Sequence, residues 1–213
     1  MTKEEFNNFW ASQYPHSLPI SHVFKRDYPE RWFRIHSLPQ SKRYAEDEIE
    51  WEVLLQRQNT IISDIFGENL KVFLITGSYS WKMDAVSDLV GGASLRRQTL
   101  RERNDNREHD TLRSYIFTTL EPVDLYEHSS EYFEAGTLYT PRFTEVFWRV
   151  NQYDNLLKSI ANDELRAFFV SPEKSVIIAP YDGGIDIILK DVETKQYYRS
   201  KYSEWLSDRA DGS

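Results

Sequence analysis

Residues 168–189 constrain the fold more than any other stretch of the chain. Phe168-Phe-Val-Ser171 and Ser175-Val-Ile-Ile-Ala-Pro-Tyr181 are apolar runs of strand length separated by Pro172-Glu-Lys174. Ile185-Asp-Ile-Ile-Leu189 follows through Asp182-Gly-Gly184. Short β-branched and aromatic runs bounded by turn residues read as strands. An Asp-Gly-Gly turn sends the chain back antiparallel, and its glycines are expected to supply the positive φ that a tight hairpin demands. Three strands in so short a stretch commit the C-terminal third to an antiparallel sheet.

The rest of the chain supplies helices and further strands. Thr2 and Glu5 have capping-box spacing at the start of a helix over 2–14, with Phe6, Phe9 and Trp10 on one face. Residues 31–38 alternate as a half-buried strand. A long helix is expected over 46–66, with acidic residues at its start and Gly67 as its stop. Strands follow at 70–76 and 112–120, and another begins at Phe143. Asp154 is the expected N-cap of a helix through Leu165, and Tyr198, Tyr202, Trp205 and Leu206 give the inner face of a last helix. Between them, 77–111 reads as an irregular surface insert, with a thin helical pattern over 94–103 and a polar loop over 103–110. Strand-to-strand turns outnumber β-α-β alternation. The expected fold is therefore α+β, a mainly antiparallel sheet with packed helices, in a single compact domain over 1–213. A division into two lobes near residue 140 is the alternative.

Composition narrows the chemistry. The 213 residues contain no cysteine, which removes disulfides, thiolate zinc sites and cysteine nucleophiles and fits a reducing cytosol. Met1-Thr-Lys-Glu-Glu-Phe6 lacks the apolar core of a signal peptide, and no apolar run reaches the ~20 residues of a membrane span. A cytoplasmic protein with no membrane partner is expected. The net charge of −8 repels phosphate backbones, so no nucleic-acid partner is expected, whereas a basic protein would be steered toward this chain.

The hairpin Tyr181-Asp182-Gly183-Gly184-Ile185-Asp186 and the closing Tyr198-Arg-Ser-Lys-Tyr202-Ser-Glu-Trp205-Leu206 resemble domain-of-unknown-function family 3885. Its members are mostly bacterial proteins of about this length. The strand and helix over 143–165 are similar to the family's approach to that hairpin, and 31–75 is similar more loosely. The family's hairpin reads Tyr-Asp-Asp-Arg-Gly-x-Asp, so this turn is shorter and has no arginine. If the family's arginine pairs with its two aspartates, that pairing is expected to be missing here. The resemblance implies a fold and no mechanism.

Two sets of residues are candidate sites. Tyr181, Asp182 and Asp186 flank the turn, where two carboxylates can serve a divalent cation or acid–base chemistry, with His36 or His128 joining from elsewhere. The plainer reading has Asp182 bonding its own backbone and Asp186 on the solvent face. The five histidines show no i, i+4 metal spacing, and Glu108-His109-Asp110 sits in the polar loop. Neither Gly77-Ser-Tyr-Ser-Trp81 nor Gly91-Gly92 fits a nucleophile elbow or a phosphate loop, and no metal or cofactor is expected.

The second set comes from charge. Arginines crowd 96–113, whereas 114–141 has no Lys or Arg. If 122–134 is helical, Asp124, Glu127, Glu131 and Glu134 form one stripe. Neutralisation within the fold, docking of a basic partner, and an anion-gripping arginine loop are the competing readings. The expectation taken forward is a non-catalytic interaction domain that binds or neutralises a basic protein, as an immunity protein does. An enzyme built on Asp182 and Asp186 is the alternative. Oligomeric state is not readable.

Overall fold

The computed structural model describes residues 1–82 and 110–207. The capping box closes as expected, with Glu5 N–H donating to Thr2 Oγ1 and Thr2 N–H to Glu5 Oε2, and starts α1 (Lys3–Gln13). A single-turn helix, α2 (Phe24–Asp27), precedes strand β1 (Trp32–His36). Asp47 caps the long helix α3 (Glu48–Phe66), and Gly67 ends it at φ 77°. The two long strands are β2 (Lys71–Trp81) and β5 (Thr137–Phe147). Between them lie β3 (Thr118–Thr119), β4 (Val123–Asp124) and the one-turn helix α4 (Leu125–His128). Helix α5 (Asp154–Ala161), strands β6 (Ala167–Ser171), β7 (Val176–Tyr181) and β8 (Gly184–Ile188), and helix α6 (Val192–Lys201) complete the chain.

These strands form an eight-stranded sheet in the order β1-β8-β7-β6-β2-β5-β3, with β4 also on β5, and every pairing is antiparallel. Both faces are covered. On one, α3 and α5 bury Ile61, Ile62, Ile65, Leu157 and Ile160 against Phe33, Val72, Leu74, Ile185 and Ile187. On the other, Phe6 and Trp10 of α1 and Phe24 of α2 pack on Phe73, Phe143, Phe168 and Ile177. Phe6 stacks on Phe143 at 4.2 Å between ring centroids. Burial on both faces explains why the central strands are apolar without alternation. The result is one compact α+β domain.

Several boundaries depart from the sequence reading. Residues 77–81 belong to β2 rather than to an insert, because Gly77 lets the Tyr139 ring lie against the strand. β5 runs unbroken through residue 140 against β2, so the chain does not divide there. Only Thr118 and Thr119 of the 112–120 run form strand, since β5 offers them a short edge and Ile116 is left 92% exposed. Tyr153, not Asp154, is the N-cap of α5, because Asp154 accepts a hydrogen bond from Asn59 Nδ2 at 2.8 Å. The last helix ends at Lys201 and Trp205 rides on a following 3-10 turn. The readings of a helix over 94–103, of a loop over 103–109 and of His109 lie outside the described residues.

Candidate functional site

The β7–β8 hairpin closes through Asp182 and Gly183, with Tyr181 opposite Gly184. Neither glycine has the positive φ expected of it, which among described glycines occurs at Gly67 and Gly136. Gly184 is instead needed for closeness: a Cβ there would overlap the Ile35 carbonyl of β1. A Cβ on Gly183 would stand 2.9 Å from the Tyr181 ring.

The carboxylates are not where the plain reading puts them. Asp186 sits between Arg34 of β1 and Ala179 of β7 on an inner sheet face and is only 8% exposed. Arg34 Nε donates to Oδ1 at 2.7 Å and Nη2 to Oδ2 at 2.8 Å, and Trp32 Nε1 adds a bond to Oδ1 at 3.0 Å. The Arg34 guanidinium lies 4.5 Å from the Tyr181 ring and 5.5 Å from that of Trp32. Burial pushes the Tyr181 hydroxyl up to about 12 despite the nearby Arg34 charge. Asp182, 9% exposed, does not bond its own backbone either. It accepts from Arg43 Nη2 at 3.2 Å and from Tyr44 Oη at 2.9 Å, and it also pairs with Arg43 Nε at 2.6 Å. The Tyr44 bond raises that residue's hydroxyl.

The two aspartates therefore do find arginines, against expectation, and they find them outside the turn. The arrangement braces β1, β7, β8 and the 39–47 loop together. Its acceptors are engaged by Arg34, which is mostly buried, and by Arg43, whose side chain is largely exposed, so a metal or a substrate proton would have to displace them. Among the described residues no group of three or more His, Asp or Glu is placed to hold a metal. His36 ends β1 opposite Gly184, while His128 lies on α4, which follows β4 at the opposite side of the sheet. Sequence reasoning missed Arg34, Arg43 and Tyr44; only the alternation of 31–38, which put Trp32 and Arg34 on one face, hinted at the first.

The acidic stripe does not form as a helix. α4 stops at His128 with Ser129 N–H bonded to the Leu125 carbonyl, and the chain turns through 129–136. Asp124 is the N-cap of α4, accepting from Tyr126 and Glu127 N–H, and it pairs with Lys82 at 2.7 Å. Lys82 foremost, with these amides, lowers its pKa. Glu127, Glu131 and Glu134 are exposed, as are Tyr126 and Tyr132. An acidic, tyrosine-bearing surface thus replaces the stripe. His22 anchors it from α2's side, its ring 6.1 Å from Phe133 and its Nδ1 3.5 Å from Tyr79 Oη. His22 is exposed to solvent, although protein groups crowd one side of its ring. Partial desolvation by those neighbours, helped by Arg166 and Arg26 and opposed by Asp27, lowers its pKa to about 4.

The profile of the domain of unknown function DUF3885 matches residues 20–210, nearly the whole chain. The chain belongs to the DUF3885 family. Helix α1, which covers much of one sheet face, lies before the matched segment of this DUF3885 domain. No curated protein and no solved structure shows significant similarity to it. No helix among its described residues is long and apolar enough to cross a membrane.

Proposed function

We propose that this DUF3885 domain is a cytosolic, non-catalytic interaction domain. It binds a basic protein partner through the surface over 121–135, and neutralisation of a basic toxin is the sharpest form of that role. The observation that carries the reading is the exposure of Glu127, Glu131 and Glu134 beside Tyr126 and Tyr132, in a stretch without Lys or Arg. Aromatic anchors ringed by charge suit a protein interface, and net charge −8 speeds encounter with a cationic partner. The absence of cysteine fits the reducing compartment. The engagement of Asp182 and Asp186 by arginines speaks against the rival acid–base or metal-assisted reading.

The test is capture from native lysate on tagged full-length protein at low and high salt, beside a Glu127→Lys, Glu131→Lys variant. A near-stoichiometric basic partner, lost at high salt and in the variant, is the expected result. Capture that survives the double charge reversal would sink the proposal.

A further inference from the structure

The acidic surface touches the chain's own Arg26. The Arg26 guanidinium lies over the Tyr132 ring at 4.8 Å, and its Nε donates to Asp27 Oδ1 at 2.7 Å. The Asp27 side chain is only 6% exposed, and its second oxygen, Oδ2, is buried without a hydrogen-bond partner. A buried carboxylate oxygen left without a donor is costly and asks for an explanation. Tyr132 is 60% exposed even with Arg26 against it, so its ring has room for a second contact. Glu131 and Glu134, on either side of it in sequence, are exposed.

We infer that Asp27 and Tyr132 form a notch for an arginine side chain of a protein partner, and that Arg26 is its intramolecular plug. The inference rests on the proposed binding of a basic protein and names the recognised group. Arg26 is next to Asp27 in the chain and reaches one carboxylate oxygen through Nε, leaving the other unused. Once Arg26 swings off the carboxylate and uncovers it, a guanidinium arriving end-on can bond both oxygens in parallel and keep a planar face for the ring. A lysine ammonium matches neither the fork nor the plane as well. Binding exchanges Arg26 for the partner's arginine, so the plug lowers affinity for any guanidinium and sets a threshold against stray cations.

The probes are fluorescent oligo-arginine and oligo-lysine peptides of equal length, titrated by anisotropy into the full-length protein at low salt. Oligo-arginine is expected to bind more tightly than oligo-lysine by roughly threefold or more. Arg26→Ala is expected to tighten oligo-arginine by roughly two- to fivefold. Tyr132→Ala should erase the preference, and Tyr132→Phe, which keeps the ring, should restore it. Arg26→Gln gives a second route should Arg26→Ala lose its native circular dichroism or melting transition. Equal binding of the two peptides, or weaker or unchanged arginine binding in both Arg26 variants, overturns the notch. If those results appear while lysate capture still depends on Glu127 and Glu131, the notch fails and the acidic surface stands. If capture itself is indifferent to Glu127 and Glu131, the broader reading fails.

Discussion

Replacing Arg34 with Met tests whether the hairpin brace holds the sheet edge. Methionine keeps most of the aliphatic stem between Trp32 and Tyr181 but removes both bonds to Asp186, at 2.7 and 2.8 Å. Removing one member of a buried ion pair costs about 3–5 kcal/mol, chiefly because the other charge is stranded. Here Asp186 keeps the Trp32 indole bond, and the two side chains retain 19% and 11% accessibility. The expected loss is therefore nearer 2–4 kcal/mol, a drop of roughly 5–15 °C in melting temperature for a domain of this size. Urea denaturation of the single variants and of Arg34→Met with Asp186→Asn supplies the cycle. The double variant should recover about 2 kcal/mol relative to the sum of the singles, since the stranded charge is gone. A single-variant loss below about 1 kcal/mol, or strict additivity, would refute the reasoning.

Gly184→Ala should cost about 2 kcal/mol or more in chemical denaturation because the new methyl meets backbone of β1, whereas Gly183→Ala meets only the Tyr181 ring and should cost less. Tyr202→Phe removes a 2.8 Å hydrogen bond to Asp64, which also pairs with Lys201, and thermal melts should show a loss of about 1–2 kcal/mol. His22 stays unprotonated in the folded state down to about 4, while in the unfolded chain it takes up its proton near 6.5. The unfolded state thus holds more protons in that window. Stability from His22 is complete above about 6.5 and is lost as pH falls toward 4, to an extent much reduced because the residue is exposed to solvent. Melts from pH 7 to 4 should show a slightly shallower decline in His22→Gln, and parallel curves would count against a lowered His22 pKa.

Local chemistry made much of the fold legible. The capping box at Thr2 and Glu5, the Asp47-to-Gly67 span of α3 and the 168–189 strands each depend on residues near in sequence. Partners remote in sequence were not legible. Nothing near Asp186 in the chain signals that Arg34, 152 residues away, neutralises it. Nothing near Asp182 announces Arg43 or Tyr44, so Asp182 read as a turn residue bonded to its own backbone and Asp186 as solvent-facing. The acidic stripe failed for the converse reason. Its three-and-four spacing suits a helix, but Asp124 serves as a cap and binds Lys82, and the chain leaves helical geometry after His128. The pairing of Arg26 with Tyr132 joins segments about a hundred residues apart and carried no sequence signal.

The seating of β1 at the sheet's edge also bears on how the chain is made. β1 emerges early in synthesis, yet its partner β8 follows only after β2, β5, β6 and β7. Until then Phe33 and Ile35 have no sheet to join, and Arg34 waits for its carboxylate. A ribosome-bound chain lacking the hairpin would hold a sheet whose central strands can pair but whose margin stays open. Newly made molecules are thus most prone to wrong association before the β7–β8 hairpin appears, and its completion is the step that ends that exposure.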